Sequence, residues 1–201
     1  SLASTGAFDV SQIGRSLQGS GAACASIPIN LSGYTKLTVS FLMYWDAFAN
    51  DDKLAMEYGS NFATNSGFLI DPNSSSGGFE AGVASPFFNS WKCTRPSAAA
   101  WHHYYITLNR TTGTAQSSTI AIDGVIQAMT ANISVDVTDN FGNNSLYLFS
   151  RNNASLFGLG RMANLIIRGG YVGTVSEAKQ EFENPWQIFK RPDSRIFVPV
   201  S

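Results

Sequence analysis

The chain has 201 residues and no Pro-rich or charged linker, so we expect a single domain over residues 1–201. Charged residues make up only 13%, and the net charge of −1 offers no basic stripe for neutralising phosphates, which argues against nucleic acid as a partner. No apolar run has the length needed to cross a bilayer, so we expect no membrane partner either.

Cys24 and Cys93 are the only cysteines. They lie far apart and outside any CxxC spacing, which argues against a sulfur-rich zinc site. Two alternatives fit the pair: one disulfide, or two buried thiols in a domain long enough to hold its core without a crosslink.

Alternating apolar and polar residues predict strands with one buried face. In "KLTVSFLMYW" (36–45) every second residue is apolar, and "KLAMEYGS" repeats the pattern with Leu54, Met56 and Tyr58 inward. The polar "DAFANDD" lies between them as a turn. "GFLI" and "GGFEAGVA" form a predicted hairpin, because Asp71-Pro72-Asn73 favours a turn between them.

The two histidines occur side by side in "WHHYYITLN", a further predicted strand. Alternation directs His102 and His103 to opposite faces, so they cannot clamp one metal ion, and a structural role is expected for each. Downstream, Asp123-Gly124 between β-branched residues is a strong hairpin signal. Later strands are expected near 146–150, 162–168 and 195–200.

One helix is predicted against this background, over about 175–183. Thr174 and Glu177 have capping-box spacing at its start, and Pro185 stops it near Asn184. We expect the helix to close one end of the sandwich.

These segments, in this order, resemble the concanavalin A-like superfamily, specifically its laminin-G-like jelly rolls. The matching pieces lie within about 35–186: "KLTVSFLMYWDAFANDDKLAMEYG", "WHHYYITLNRTTGTAQSSTIAIDGV" and "SLYLFSRNNASLFGLGRMANLIIRGGYVGTVSEAKQEFENPW". The resemblance implies an all-β, antiparallel two-sheet jelly-roll sandwich with one short C-terminal helix. It also implies that the first piece is a long core strand and its return, and that Trp101 and His102 lead a core strand without carrying chemistry.

The end of the chain, "NPWQIFKRPDSRIFVPVS", resembles a tail found in proteins of tailed bacteriophages and prophages. This second resemblance implies a virion protein, assembled in the cytoplasm of a bacterial host and carried on the extracellular particle.

Catalysis is not expected. Some members of the superfamily hydrolyse glycans with carboxylates in an E-x-D-x-x-E arrangement, which needs two carboxyl groups on one face. Here Glu57 is alone on its strand, Glu80 is isolated and Asp123 lies in a turn. The chain also lacks a G-x-S-x-G nucleophile elbow and a phosphate-binding glycine loop.

Jelly rolls of this family commonly bind sugars or proteins through rim loops, sometimes with the help of calcium. Hard oxygen ligands of the kind that Ca²⁺ takes are clustered at Asp46, Asn50, Asp51 and Asp52. The same loop composition is also that of a solvated turn. No cofactor is required, and calcium is the candidate ion.

Sugar binding combines a flat aromatic surface with polar side chains for the hydroxyl groups. The predicted loop "SPFFNSWKCTRPS", outside the strands, offers Phe87, Phe88, Asn89 and Trp91 as candidate ligand-binding residues, and Tyr171 is a second aromatic candidate. Alternatively, these aromatics fill the sandwich or an interface with another subunit.

The functional hypothesis is a non-enzymatic, lectin-like module of a phage particle that binds surface glycans through many copies. A purely structural virion protein, such as a capsid decoration or tail component, is the alternative from another class. A secreted glycan hydrolase is the third hypothesis.

Overall fold

The computed structural model describes residues 16–21, 25–61, 64–84, 88–111, 118–133 and 137–186. These residues form thirteen strands and one helix. The elements are β1 (Leu17–Ser20), β2 (Ala25–Asn30), β3 (Lys36–Trp45), β4 (Met56–Tyr58), β5 (Phe68–Asp71), β6 (Phe79–Ala84), β7 (Phe88–Cys93), β8 (Trp101–Asn109), β9 (Thr119–Ile122), β10 (Val125–Ile126), β11 (Thr130–Ile133), β12 (Asn143–Leu148), β13 (Leu159–Gly169) and α1 (Val175–Glu183).

The strands form two antiparallel sheets. The six-stranded sheet has the order β1-β13-β3-β8-β9-β10, and the seven-stranded sheet has the order β11-β7-β6-β5-β4-β12-β2. The predicted all-β, antiparallel two-sheet sandwich with one short helix is confirmed.

The core lies between the sheets and is built by the predicted alternation. Along β3 the inward residues are fully or almost fully buried: Leu37, Val39, Phe41, Met43 and Trp45. A stack of aromatic rings joins the two sheets, with Tyr104 of β8 between Phe41 (centroids 5.2 Å apart) and Phe79 of β6 (4.9 Å). Ring pairs of this kind add stability beyond the apolar area that they bury.

Two of the predicted hairpins are confirmed, while the return of the first strand is wrong. Strand β5 pairs with β6, and β9 pairs with β10 across the Asp123-Gly124 turn. Asp123 and Gly124 have the positive φ angles, 52° and 75°, that the tight turn between β9 and β10 requires. Strand β4, however, pairs with β5 and β12 in the other sheet, so residues 46–55 cross between sheets and do not turn back beside β3.

The later strands lie close to their predicted positions. The strand expected near 146–150 is β12 at Asn143–Leu148, and the one expected at 162–168 is β13 at Leu159–Gly169. The strand predicted at 195–200 and most of the phage-like tail lie outside the described residues. So does most of the N-terminal segment.

Helix α1 has the predicted bounds and the predicted capping box between Thr174 and Glu177. It packs on the outer face of the six-stranded sheet and does not close an end of the sandwich. The small side chain of Ala178 lets the helix approach Tyr105 and Ala121, and Glu181 accepts a hydrogen bond from Ser40 on β3 (2.6 Å). Within the described part of the chain, no helix combines the length and hydropathy of a membrane span.

Candidate functional site

The predicted aromatic patch at 87–91 is not a surface loop. Phe88, Asn89 and Trp91 lie on strand β7, and Phe87 is outside the described residues. Trp91 is 0% exposed in the core and Asn89 is fully buried, so neither can contact a ligand at the surface. The prediction is wrong for these two residues because 89, 91 and 93 alternate inward. Trp91 fills the sandwich, as the alternative interpretation proposed.

Tyr171, the second aromatic candidate, is half-buried against α1. Its hydroxyl donates a hydrogen bond to Glu177, and its carbonyl accepts one from the hydroxyl of Thr38 (2.9 Å). The hydrogen bond from Tyr171 lowers the pKa of Glu177. The ring therefore holds the start of the helix against the sheet and is not the exposed binding residue that was predicted.

Three of the four candidate calcium ligands each accept a hydrogen bond from a protein donor. Asp51 accepts a hydrogen bond from the side-chain amide of Asn73, Asp52 accepts one from the backbone N–H of Ser75 (2.5 Å), and Asn50 accepts one from Arg95. Asp46 is exposed at the other end of the loop.

These hydrogen bonds hold one oxygen each of Asn50, Asp51 and Asp52 within the turn, whereas a calcium site needs several oxygens that face the ion. Among the described residues, no group of three or more His, Cys, Asp or Glu side chains is placed to hold a metal ion. The hydrogen bonds favour the turn alternative, and calcium binding at this loop stays a prediction.

Of the two cysteines, Cys93 is a buried free thiol, and Cys24 lies outside the described residues. Burial raises the pKa of the Cys93 thiol to about 12, so at neutral pH it is protonated and unreactive. The buried-thiol alternative is the one found at Cys93.

The two histidines face opposite sides of the sheet, as predicted. His103 is buried under α1, where desolvation lowers its pKa to about 4 and its Nε2 lies 3.1 Å from the Ser40 hydroxyl. The Nδ1 atom of His102 lies 2.7 Å from Asp123, and its Nε2 atom lies 3.2 Å from the carbonyl of Ser97. The Nε2 atom also lies 3.4 Å from the Ser97 hydroxyl, so His102 ties the β9–β10 turn to the 97–101 segment.

A cleft of about 300 Å³ opens beside strands β5, β6 and β7 of the seven-stranded sheet. It is the place where the structure gathers polar side chains around an apolar surface. Its lining residues are Asp52, Leu54, Leu69, Asp71, Ser74, Ser75, Ser76, Glu80, Phe88, Asn132, Arg151 and Leu156. We call it the β5–β7 cleft.

Two carboxyl groups lie side by side in the β5–β7 cleft. Asp71 ends β5 and is the direct cross-strand partner of Glu80 on β6. The Cβ atoms of such partners are typically about 4.5–5.5 Å apart. Two like charges so close in a partly buried site favour a proton on one of them.

Asp71 is the carboxyl that holds the proton. It is 4% exposed, and desolvation is the main cause that raises its pKa to about 8, with the charges of Asp52 and Glu80 adding to the effect. The hydrogen bond that it accepts from the Asn73 N–H (2.8 Å) acts in the opposite direction. At neutral pH the Asp71 carboxyl is therefore a hydrogen-bond donor as well as an acceptor.

Glu80 is held by neutral donors. Its Oε2 accepts a hydrogen bond from the Ser74 hydroxyl (2.6 Å), and its Oε1 accepts one from the side-chain amide of Asn132 on β11 (2.9 Å). The Ser74 hydroxyl belongs to the serine loop between β5 and β6, so the predicted turn builds one wall of the cleft.

A partly buried ion pair supports another part of the cleft lining. The Nε of Arg151 lies 2.9 Å and 3.1 Å from the two carboxylate oxygens of Glu57, which is fully buried on β4. Arg151 lines the cleft, and Glu57 is the cross-strand partner of Leu69.

The apolar part of the cleft comes from Leu69, Leu156 and the half-buried ring of Phe88. A side chain at Gly82 would come within 2.5 Å of the Phe88 ring, so glycine at this position lets the ring lie against the sheet. The cleft thus offers an aromatic surface beside a protonated carboxyl, a carboxylate and hydroxyl groups, which suits a polyhydroxylated ligand with one apolar face.

The pairing of Asp71 with Glu80 could not be predicted from local patterns, because nine positions separate the two residues along the chain. A signal was present, since the predicted hairpin of "GFLI" and "GGFEAGVA" brings the two strands together. Only its register, however, sets these two residues opposite each other.

A scan against protein-family models finds no match, and a search of curated proteins finds no significant match. Solved structures do resemble the fold. Domain 4 of AbnA, a GH43 extracellular arabinanase from Geobacillus stearothermophilus, in complex with arabinotriose, matches with a TM-score of 0.63 and 15% identity, over 84% of this chain and 77% of that one.

Two further matches are parts of longer chains. A Trypanosoma rangeli sialidase in complex with the inhibitor DANA matches with a TM-score of 0.58 and 12% identity, over 86% of this chain and 28% of that one. The binding domain of botulinum neurotoxin serotype G matches with a TM-score of 0.54 and 11% identity, over 86% of this chain and 47% of that one. At these identities the likeness establishes the β-sandwich fold alone.

Proposed function

We propose that this chain is a non-enzymatic, lectin-like module that binds glycans in the β5–β7 cleft. The observation that carries the proposal is the pairing of Asp71 with Glu80 beside the ring of Phe88. The protonated Asp71 can donate to one sugar hydroxyl while Glu80 accepts from another, and the aromatic ring can cover the apolar C–H face of a pyranose.

The comparisons support glycan binding at a coarse level. Domain 4 of the arabinanase was solved in complex with arabinotriose, and the sialidase was solved with an inhibitor in place. Both matches share the β-sandwich fold, and each was solved with a bound small molecule.

The bonding of Glu80 supports binding over hydrolysis. A retaining glycosidase needs a carboxylate oxygen free to attack the sugar carbon, with a second carboxyl group to protonate the leaving group. Here both oxygens of Glu80 already accept hydrogen bonds, from Ser74 and Asn132, which stabilises the carboxylate and reduces its nucleophilicity.

The wider setting that we propose is the surface of a bacteriophage particle. This rests on the C-terminal segment, whose sequence resembles a terminal segment of proteins from tailed bacteriophages and prophages. Many copies on one particle would convert individually weak glycan contacts into stable attachment.

One observation favours the second candidate, a structural virion protein that acts through subunit contacts. Among the described strands, β2 lies at an edge of the seven-stranded sheet and exposes the apolar side chain of Ile27.

A glycan-array screen followed by affinity measurements tests the proposal. Phe88→Ala removes the aromatic surface of the cleft, and Glu80→Gln removes the acceptor charge while keeping the side-chain volume. Val125→Ala, at an exposed site on the other sheet, is the matched control. We expect both cleft variants to bind the selected glycan at least about tenfold more weakly while Val125→Ala binds normally. Unchanged binding by both cleft variants would reject the cleft as the site.

A further inference from the structure

A second surface, on the opposite sheet, carries a row of side chains with the chemistry of a ligand site. Cross-strand pairing aligns Gln18 of β1 with Arg161 of β13, Arg161 with Tyr44 of β3, and Tyr44 with Trp101 of β8. The row crosses three gaps between neighbouring strands and is therefore roughly 14 Å long. We call these four residues the outer row.

The outer row faces away from the core. Tyr44 lies between the buried residues Met43 and Trp45, so alternation directs it outward, and Arg161 precedes the buried Met162. Gln18 is exposed, and the other three members of the row are partly exposed. Helix α1 covers the same face of the sheet at Ser40 and Tyr105. The outer row lies beside the covered part, at the end of the sheet where β8 begins.

Two aromatic rings and a cation form the centre of the outer row. The rings of Tyr44 and Trp101 have centroids 5.9 Å apart, and their planes are tilted by 60° to each other. They form two neighbouring apolar surfaces. The guanidinium of Arg161 lies over the Tyr44 ring, 4.8 Å from its centroid. A guanidinium at this distance from a ring makes a cation–π contact, which positions the charge of Arg161 beside the two rings.

The charge of Arg161 is not neutralised within the described part of the chain. Five ion pairs occur there, and Arg161 takes part in none of them. A planar guanidinium with its donors available binds a carboxylate through two parallel hydrogen bonds. The aromatic rings next to it suit the apolar face of a sugar ring.

We propose that the outer row is a second glycan site, independent of the β5–β7 cleft, and that its ligand is a short acidic oligosaccharide. A sugar carboxylate pairs with Arg161, the sugar ring packs against Tyr44 and Trp101, and Gln18 binds a hydroxyl group. Trp101 then contributes to binding, whereas the family resemblance implied that it carries no chemistry. With sites on opposite sheets, one copy of the chain can join two glycan strands.

Isothermal titration with trigalacturonic acid tests the proposal, with the neutral trisaccharide galactotriose as the ligand control. The protein variants are Arg161→Gln, Trp101→Ala, Trp101→Phe and the cleft variant Glu80→Gln. We expect Arg161→Gln and Trp101→Ala to weaken binding of the acidic trisaccharide at least about tenfold, Trp101→Phe to retain most of it, and Glu80→Gln to leave it unchanged. Galactotriose should bind the wild-type row more weakly than the acid.

Several results would overturn the proposal. Binding of the acidic trisaccharide that survives Arg161→Gln, or that is lost only in Glu80→Gln, would assign the ligand elsewhere. Absence of millimolar binding to the wild-type protein would also reject the outer row. The cleft is judged separately, by the array-selected glycan with Phe88→Ala, so either site can fail alone. Thermal melting of each variant distinguishes a lost contact from a lost fold.

Discussion

The protonated state of Asp71 predicts an unusual pH dependence of stability. The folded protein holds this proton with a pKa of about 8, while in the unfolded chain the carboxyl returns to its ordinary value of 3.8. Between these values the folded state binds one more proton than the unfolded state. Stability from this group is therefore complete below about pH 4 and is lost as the pH rises towards 8.

The substitution Asp71→Asn isolates this effect because asparagine imitates the neutral carboxyl. Its side-chain oxygen can still accept the hydrogen bond from Asn73, and its amide can donate to neighbouring carboxylates. From pH 5 to pH 8 the wild-type protein should lose about 4 kcal/mol relative to the variant, at about 1.4 kcal/mol for each pH unit. For a domain of this size, this corresponds to a relative change in Tm of roughly 10 °C.

Urea denaturation at pH 5, 6.5 and 8 measures the difference between the two proteins directly. Asp46→Asn is the matched control, since it makes the same chemical change at an exposed carboxylate. The stability difference between wild type and Asp46→Asn should be the same at all three pH values. A stability difference between wild type and Asp71→Asn that stays within about 1 kcal/mol over this range would refute the reasoning. It would mean that Asp71 is ionised in the folded protein.

The remaining predictions concern the core, the ion pair and the helix. Trp91→Ala should lower the free energy of unfolding by about 3–5 kcal/mol in urea denaturation, because it empties a fully buried site, and a loss below about 1 kcal/mol would contradict that burial. Arg151→Ala should cost up to about 3 kcal/mol, because it removes the partly exposed cation paired with the buried Glu57 carboxylate, and combining it with Glu57→Gln should recover part of the loss. Thr174→Ala should lower stability by about 1 kcal/mol through loss of the helix cap, whereas Thr174→Ser should be nearly neutral in thermal melts.

Local patterns were sufficient to predict most of the elements. Alternation identified β3 and the face of each residue on it, and the Thr174–Glu177 capping box identified both the position and the start of α1. These signals act over a few residues and depend on steric and hydrogen-bonding rules that hold in any context.

The partner of each strand could not be predicted in the same way. The alternation in β4 shows that Met56 and Tyr58 face inward, but the same pattern fits a strand in either sheet. The structure places β4 in the sheet opposite β3, where it pairs with β5 and β12. Flanking Pro and Ser residues made the segment around Trp91 resemble a loop. The inward alternation of residues 89, 91 and 93 was the better guide.

The candidate site depends on long-range geometry for the same reason. Asp71 and Glu80 meet through the register of a hairpin, and Asn132 reaches Glu80 from a strand that follows much later in the chain. The hydrogen bonds within the candidate calcium loop also depend on residues that the composition of the loop does not contain. The oxygens of the loop are used by Asn73, Ser75 and Arg95, which come from other parts of the chain.

The central claim is that the β5–β7 cleft binds a glycan and leaves it intact. Titration of the isotope-labelled protein with the array-selected glycan, followed by NMR, tests both halves in one sample. We predict amide shifts concentrated at Asp71, Ser74–Ser76, Glu80 and Phe88, with the anomeric signals of the glycan unchanged over days. Shifts confined to other surfaces, or new reducing-end signals that grow with time, would contradict the account.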